Sequence, residues 1–269
     1  MEKRIHIICN IAIVLCLLLT TTGVYSQNTD EEFVPYSGQD GKDVVWVPTP
    51  QALVDAMLGL AKITSSDYLI DLGSGDGRTV ITAAKRGATA LGLEYNPNMV
   101  ALARRSANEE GVSEKAKFEQ ADIFESDFSK ATVITLFLLP DINLRLRPTI
   151  LDMKPGTRVV SNTFTMSDWE PDQTTEITDH VSWTTAHLWI VPAKVDGTWK
   201  LSDGQVKFSQ KFQYITGTLT MGNKDIELSG KLDGDKISFK AGDAEFVGTV
   251  NGNTMSGARV GGGAWNATR

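Results

Sequence analysis

The chemically most telling stretch of this 269-residue chain is Asp71-Leu72-Gly73-Ser74-Gly75-Asp76-Gly77-Arg78. It follows the short apolar run Tyr68-Leu69-Ile70, so it sits at the carboxyl edge of a strand, where nucleotide-type ligands bind in open α/β sheets. Glycines there let the backbone turn sharply and approach a ligand, and the amides of the following helix start present donors. The spacing narrows the ligand. A dinucleotide fingerprint requires G-x-G-x-x-G, and here Arg78 stands where that pattern needs glycine. No Gly-Lys-Ser/Thr triplet follows, as a phosphate-cradling P-loop requires. An acidic residue ahead of G-x-G-x-G suits an aminoacyl nucleoside without a pyrophosphate, with Asp71 attracting its ammonium group.

Two further carboxylates recur at strand ends. Glu94 closes Ala90-Leu91-Gly92-Leu93 and can accept both hydroxyls of a ribose, with Tyr95 beside it. Asp122, just past Ala116 to Gln120, is placed to accept from an adenine amino group, with Ile123 and Phe124 against the ring. Taken singly, each carboxylate reads as well as a cap or turn residue. Their recurrence beside one glycine loop argues for a shared site.

The elements needed to position them are legible. Strand-like and helix-like segments alternate from residue 48 to about 201, the pattern of a parallel sheet flanked by helices. Thr49-Pro50 reads as an N-cap with proline in the first helical position, and helices are expected at about 79–85, 97–110 and 143–153. Val133 to Leu139 is apolar enough for a central strand, Arg158 to Phe164 forms a fifth, and Ala186–Val191 and Gly197–Leu201 are expected as the last two. After Ser202 helical periodicity ends. Ser229 to Phe239 resembles Val247 to Gly257 at an offset of 18, and turn signals recur, which predicts a six- or seven-stranded antiparallel meander or small barrel. Phe208, Phe212, Tyr214, Phe239, Phe246 and Trp265 are expected to fill it, and Trp183, Trp189 and Trp199 to lie in strands near the domain junction.

Asp71 to Arg78, Glu94, Asp122 and Thr135 to Pro140 resemble class I S-adenosylmethionine-dependent methyltransferases. Val47-Pro48-Thr49-Pro50, Phe137-Leu138-Leu139-Pro140 and the run Lys154 to Ser161 narrow the resemblance to the small protein-lysine methyltransferases that act on the ATP synthase c-subunit and the adenine nucleotide translocase. The resemblance covers residues 44 to 170 and implies an α/β fold with a seven-stranded Rossmann-like sheet. It also implies S-adenosyl-L-methionine held by Val47, Thr49, Asp71, Gly73, Ser74, Gly75, Asp76, Gly77, Glu94, Tyr95, Asp122 and Ile123. Val47 to Thr49 would fold over the methionine end and Leu138 to Pro140 would border the methyl-acceptor pocket.

Methyl transfer from a sulfonium is an in-line displacement, served by alignment and a dry pocket without a dedicated acid-base pair. A lysine acceptor must lose its proton, which the apolar wall Phe137, Leu138, Leu139 and Pro140 favours by depressing the amine pKa. Asp141, Asn162 and Trp169 are candidates for orienting the acceptor, and each reads equally as a cap, a strand polar group or a packed aromatic. No Asn/Asp-Pro-Pro-Tyr/Phe stands at this position, and a net charge of −7 lacks the basic face that phosphate neutralisation needs, so no nucleic-acid partner is expected. The expected partner is a protein, with a membrane-associated one admitted. A small-molecule or lipid methyltransferase whose β domain shapes the acceptor pocket, and a non-catalytic exported binding protein, are the alternatives.

The amino terminus carries a different message. Lys3 and Arg4 precede the largely apolar Ile5 to Leu19, and Val24-Tyr25-Ser26 suits signal peptidase, which predicts cleavage after Ser26 and export to a periplasm or medium. The apolar run falls short of the roughly 20 residues of a spanning helix, and a retained anchor through residues 5–19 is the alternative. Residues 27–43 read as a polar linker, 44–201 as the methyltransferase domain and 202–269 as the β domain. Both cysteines, Cys9 and Cys16, lie in the leader, so the mature chain offers neither disulfides nor thiolate ligands. With only His180 and His187 remaining, no metal centre is expected.

Overall fold

The computed structural model describes residues 33–178 and 180–269; the expected leader lies outside the described residues. Seven strands form one sheet in the order β3-β2-β1-β4-β5-β7-β6. They are β1 (Tyr68–Leu72), β2 (Thr89–Glu94), β3 (Ala116–Gln120), β4 (Val133–Leu136), β5 (Arg158–Asn162), β6 (Gln173–Glu176) and β7 (Thr185–Ile190). β1 to β5 are parallel, β7 runs antiparallel to β5, and β6 pairs antiparallel with β7.

Strand alternation explains the layers, because successive side chains point to opposite faces. Leu69, Val133 and Val160 pack under α1 (Gln51–Leu60), α2 (Arg78–Lys85) and α3 (Pro97–Glu109). Ile70, Ile134, Leu136 and Val159 pack on the other face against Ile142, Leu146 and Ile150 of α4 (Pro140–Leu151). With both faces covered, the central strands read as continuous apolar runs. α4 starts at Pro140, earlier than the expected Asn143, because proline is favoured at a first helical position.

Residues 197–268 form a closed eight-stranded barrel; seven of its strands follow Ser202, within the expected six or seven, and the eighth precedes it. Its strands are β8 (Gly197–Leu201), β9 (Gly204–Lys211), β10 (Tyr214–Met221), β11 (Lys224–Asp233), β12 (Lys236–Ala241), β13 (Ala244–Asn251), β14 (Thr254–Arg259) and β15 (Ala264–Thr268). β8, expected in the sheet, pairs with β9 and β15 in the barrel. The sheet is completed instead by β6, whose polar, largely exposed Gln-Thr-Thr-Glu carries no apolar pattern to reveal it.

Inside the barrel, Trp199, Phe208, Phe239 and Trp265 leave a packed core. A Cβ on Gly248 or Gly257 would lie 2.7 or 2.8 Å from the Trp265 indole, so these glycines make room for that ring. The outward positions are polar, as in Lys236, Ser238 and Lys240 of β12, the reverse of a lipid-facing barrel. No helix among the described residues is long and apolar enough to cross a membrane.

The barrel is docked on the sheet domain through aromatic and backbone contacts. Phe212, expected in the barrel core, points out of it and stacks on Trp169 at 5.8 Å, with the Arg147 guanidinium 5.3 Å from its ring. Gln213 Nε2 donates to the Glu170 carbonyl at 2.8 Å, and the Ala193 amide donates to the Gly234 carbonyl at 2.8 Å. Tyr214 is exposed rather than interior. Of the three junction tryptophans, Trp189 is buried against Trp169, Trp199 is in the barrel core, and Trp183 lies in a loop.

Candidate active site

The carboxyl ends of β1, β2 and β3 deliver Asp71, Glu94 and Asp122 to one open cavity. The glycine loop forms its floor. Gly73, Gly75 and Gly77 all have positive φ, at 81°, 53° and 83°. Two of them are required for different reasons. A Cβ on Gly75 would strike the Trp46 indole at the cavity, whereas one on Gly77 would meet the Phe118 ring at 2.6 Å and Ala103 at 2.8 Å in the core under α2.

Asp71 is buried at the cavity wall and accepts a hydrogen bond from Thr135 Oγ1 at 2.6 Å. Burial pushes its carboxyl up to about 7; Thr135 opposes that shift, and the nearby Glu94 and Asp76 carboxylates reinforce it. Such a group is poised to gain a cation as partner. Glu94 spreads both oxygens, accepting from the Gly75 amide and the Asn96 amide, each at 2.9 Å. Asp122 accepts from the Phe124 amide at 2.9 Å through one oxygen and pairs with the Lys42 ammonium through the other. The bond to Lys42 holds its carboxyl below the usual range, and Lys42 also lies 5.0 Å from the Tyr95 ring centre.

Residues 39–49 form a strap along the cavity. The Gly38 amide donates to the Trp46 carbonyl at 2.8 Å and the Trp46 amide to the Gln39 carbonyl at 2.9 Å, closing the strap into a loop. Its far end is tied down by Thr49. That hydroxyl makes no cap for α1, which starts from Pro50 without a side-chain cap; instead it accepts from Asn162 Nδ2 at 3.2 Å. Arg78 holds the Thr49 carbonyl at 2.9 Å while gripping Asp76 through Nε at 3.0 Å and Nη2 at 2.5 Å.

Val47, Thr49, Asp71, Gly73, Ser74, Gly75, Asp76, Glu94, Tyr95, Asp122, Ile123, Phe137 and Leu138 all border this cavity. The other expected residues stand apart from it. Gly77 caps α2, Leu139 is exposed, and Pro140 and Asp141 form the exposed first turn of α4. Asn162 is fully buried and supports Thr49. Trp169, the remaining acceptor candidate, is buried against Phe212 in the turn between β9 and β10.

Sequence reasoning missed Gln39, Lys42, Trp46, Asn96 and Met99 in the cavity wall and Thr135 behind Asp71. Trp46, a lone large aromatic just before Val47-Pro48, was the one available signal. Among the described residues no lining residue comes from beyond Ile142, so the barrel strands shape no part of this cavity. Among the described residues no cluster of His, Cys, Asp or Glu could hold a metal.

Residues 71–173 match the ANTKMT methyltransferase domain family. A protein-lysine N-methyltransferase from Saccharolobus islandicus is 39% identical over 151 residues, which are 55% of this chain and 94% of that relative. The human lysine N-methyltransferase of the ATP synthase c-subunit is 40% identical over 108 residues, covering 40% of this chain and only 46% of the human protein. A crystal structure of an RNA methyltransferase from Salinibacter ruber in complex with S-adenosyl-L-homocysteine is 46% identical. It has a TM-score of 0.53 and covers 55% of this chain and 96% of that one. With the glycine-loop geometry and these relatives together, the chain belongs to the S-adenosyl-L-methionine-dependent methyltransferase family of the ANTKMT type.

Proposed function

We propose that this enzyme methylates the side-chain amine of a lysine in a protein. The observation that carries the proposal is the convergence of three carboxylates and a left-handed glycine loop on one cavity that ends in the apolar wall Phe137-Leu138. The residues fit the cofactor. Asp71, buried beside other acids, gains a counter-ion from the methionine ammonium; Glu94 has lone pairs left for the ribose hydroxyls; Asp122, Ile123 and Tyr95 line the adenine end. The backbone of Gly73 to Gly75 lies along the cavity wall, where a ligand can approach it closely.

Bound S-adenosyl-L-methionine supplies an electrophilic methyl group: the amine lone pair forms the N–C bond, the C–S electrons pass to sulfur, and the nitrogen's proton leaves to solvent. The chain's own contribution is alignment and exclusion of water. Phe137 and Leu138 present carbon where the amine arrives, which favours its neutral, nucleophilic form. The strap, pinned by Asn162 and Arg78 through Thr49, covers the ligand.

An RNA acceptor is the second reading, because the S. ruber relative is called an RNA methyltransferase. The net charge of −7 weighs against it. The deciding experiment incubates the enzyme with methyl-labelled cofactor and an extract of its native cells, both membrane and soluble. Label on protein lysine is expected; label confined to RNA establishes the second reading, and label confined to lipid or small molecules overturns both. For the amino terminus the proposal is export with cleavage after Ser26, on the strength of residues 1–26 alone. Amino-terminal sequencing of the mature protein that begins at Met1 refutes it.

A further inference from the structure

Along the sheet order β3-β2-β1-β4-β5-β7, one edge changes character halfway. The first three strands end in Asp122, Glu94 and Asp71. At the same edge the next three carry aromatic rings: Phe137 after β4, Phe164 after β5 and Trp183 before the antiparallel β7. These rings touch one another. Phe137 lies 6.1 Å from Phe164 and 5.3 Å from Trp183, and Phe164 lies 5.9 Å from Trp183. Phe137 also borders the cofactor cavity.

We propose that Phe137, Phe164 and Trp183 form the subsite for the acceptor amine, their ring faces stabilising the positive charge that the nitrogen gains on methylation and setting the enzyme's preference for amine acceptors. The inference rests on the N-methyltransferase reading above. Three observations support it. All three rings are only half-buried, unlike the core aromatics Trp169, Trp189, Trp199 and Phe208, and Val181 two residues away is fully exposed. The backbone that presents them is strained. Trp183 has φ of 57° and Thr163, immediately before Phe164, has φ of 58°, a region that bulky and β-branched residues avoid. Finally, Asn143 is fully buried and donates Nδ2 to the Phe164 and Thr165 carbonyls at 3.5 and 3.3 Å, which fixes the backbone that presents the Phe164 ring.

The chemistry favours rings in this position. An ammonium over an aromatic face is attracted by the ring quadrupole. As the N–C bond forms, the nitrogen gains positive charge, so the same faces favour the transition state over the neutral amine that attacks. The product is a methylated ammonium ion, which the rings also accept.

The test uses the full chain saturated with S-adenosyl-L-homocysteine and two probes of nearly equal shape, tetramethylammonium and neutral tert-butanol, titrated by NMR. Wild type is expected to prefer the cation by roughly fivefold. Trp183→Phe should keep part of that preference and Trp183→Leu should lose it, while S-adenosyl-L-homocysteine affinity stays unchanged in both. Equal affinity of the two probes for wild type, or an undiminished preference in Trp183→Leu, overturns the subsite. The lysine reading is judged separately by labelled-methyl transfer to protein lysine, so lysine label in wild type with no cation preference removes the subsite and leaves the reading standing.

Discussion

Thr135 Oγ1 donates to Asp71 Oδ1 at 2.6 Å from the neighbouring strand, where the two residues are paired in register. This bond is the one contact that lowers the Asp71 pKa against burial and two nearby acids. A carboxyl raised to about 7 is protonated over much of the physiological range, and ionisation must accompany capture of a cation.

Cofactor affinity should therefore depend on pH. Because the proposed ammonium contact needs ionised Asp71, the Kd for S-adenosyl-L-homocysteine should weaken below about pH 7, approaching tenfold per pH unit. Calorimetry at pH 6 and pH 8 checks this, and Asp71→Asn should bind weakly with a flat profile. Fold stability runs the opposite way. The folded pKa lies above the unfolded value of 3.8, so the folded state holds the extra proton and this group's contribution is lost as pH rises from about 4 to 7. Thr135→Val should push that window's upper end higher.

The glycines of the loop should separate binding from folding. Gly75→Ala places a methyl group against Trp46 and should cut cofactor affinity by about tenfold or more, with a stability loss limited to the about 1–2 kcal/mol of a left-handed alanine. Gly77→Ala carries the same backbone cost and also drives a methyl group into Phe118 and Ala103, adding about 1–3 kcal/mol of lost stability. Parallel melting curves and cofactor titrations distinguish the two; equal effects on both properties would contradict the assignment.

Asn162 should act through the strap. Asn162→Ala removes the donor to Thr49 and leaves the Thr163 hydroxyl without its acceptor at 2.9 Å, at a cost of about 1–3 kcal/mol. Hydrogen exchange should show residues 39–49 losing protection before the sheet does. If the strap keeps its protection, Thr49 is not its anchor.

The barrel should be separable from cofactor binding. Phe212→Ala deletes the ring stacked on Trp169 and should destabilise the docked barrel by about 3 kcal/mol. Since among the described residues those lining the cavity lie between Gln39 and Ile142, the affinity for S-adenosyl-L-homocysteine should not move. A lower melting transition with unchanged calorimetric Kd is the expected pair of results.

What the sequence determined by itself was local. The spacing of Gly73, Gly75 and Gly77 fixes a chain reversal that only glycine adopts easily, and alternating periodicities fix which residues are strand and which helix. Since parallel strands share one carboxyl edge, Asp71, Glu94 and Asp122 could be assigned to a common site from their positions at strand ends alone.

Tertiary structure alone decided which strands are neighbours, and with them every contact between distant segments: Thr135 behind Asp71, Lys42 on Asp122, Asn162 under Thr49 and the three rings at the edge of β4, β5 and β7. The same holds for Gln173–Glu176 completing the sheet and Gly197–Leu201 joining the barrel. A strand's period tells which face each side chain takes but not which chain lies beside it, because pairing is settled by the packing and closure of the whole sheet.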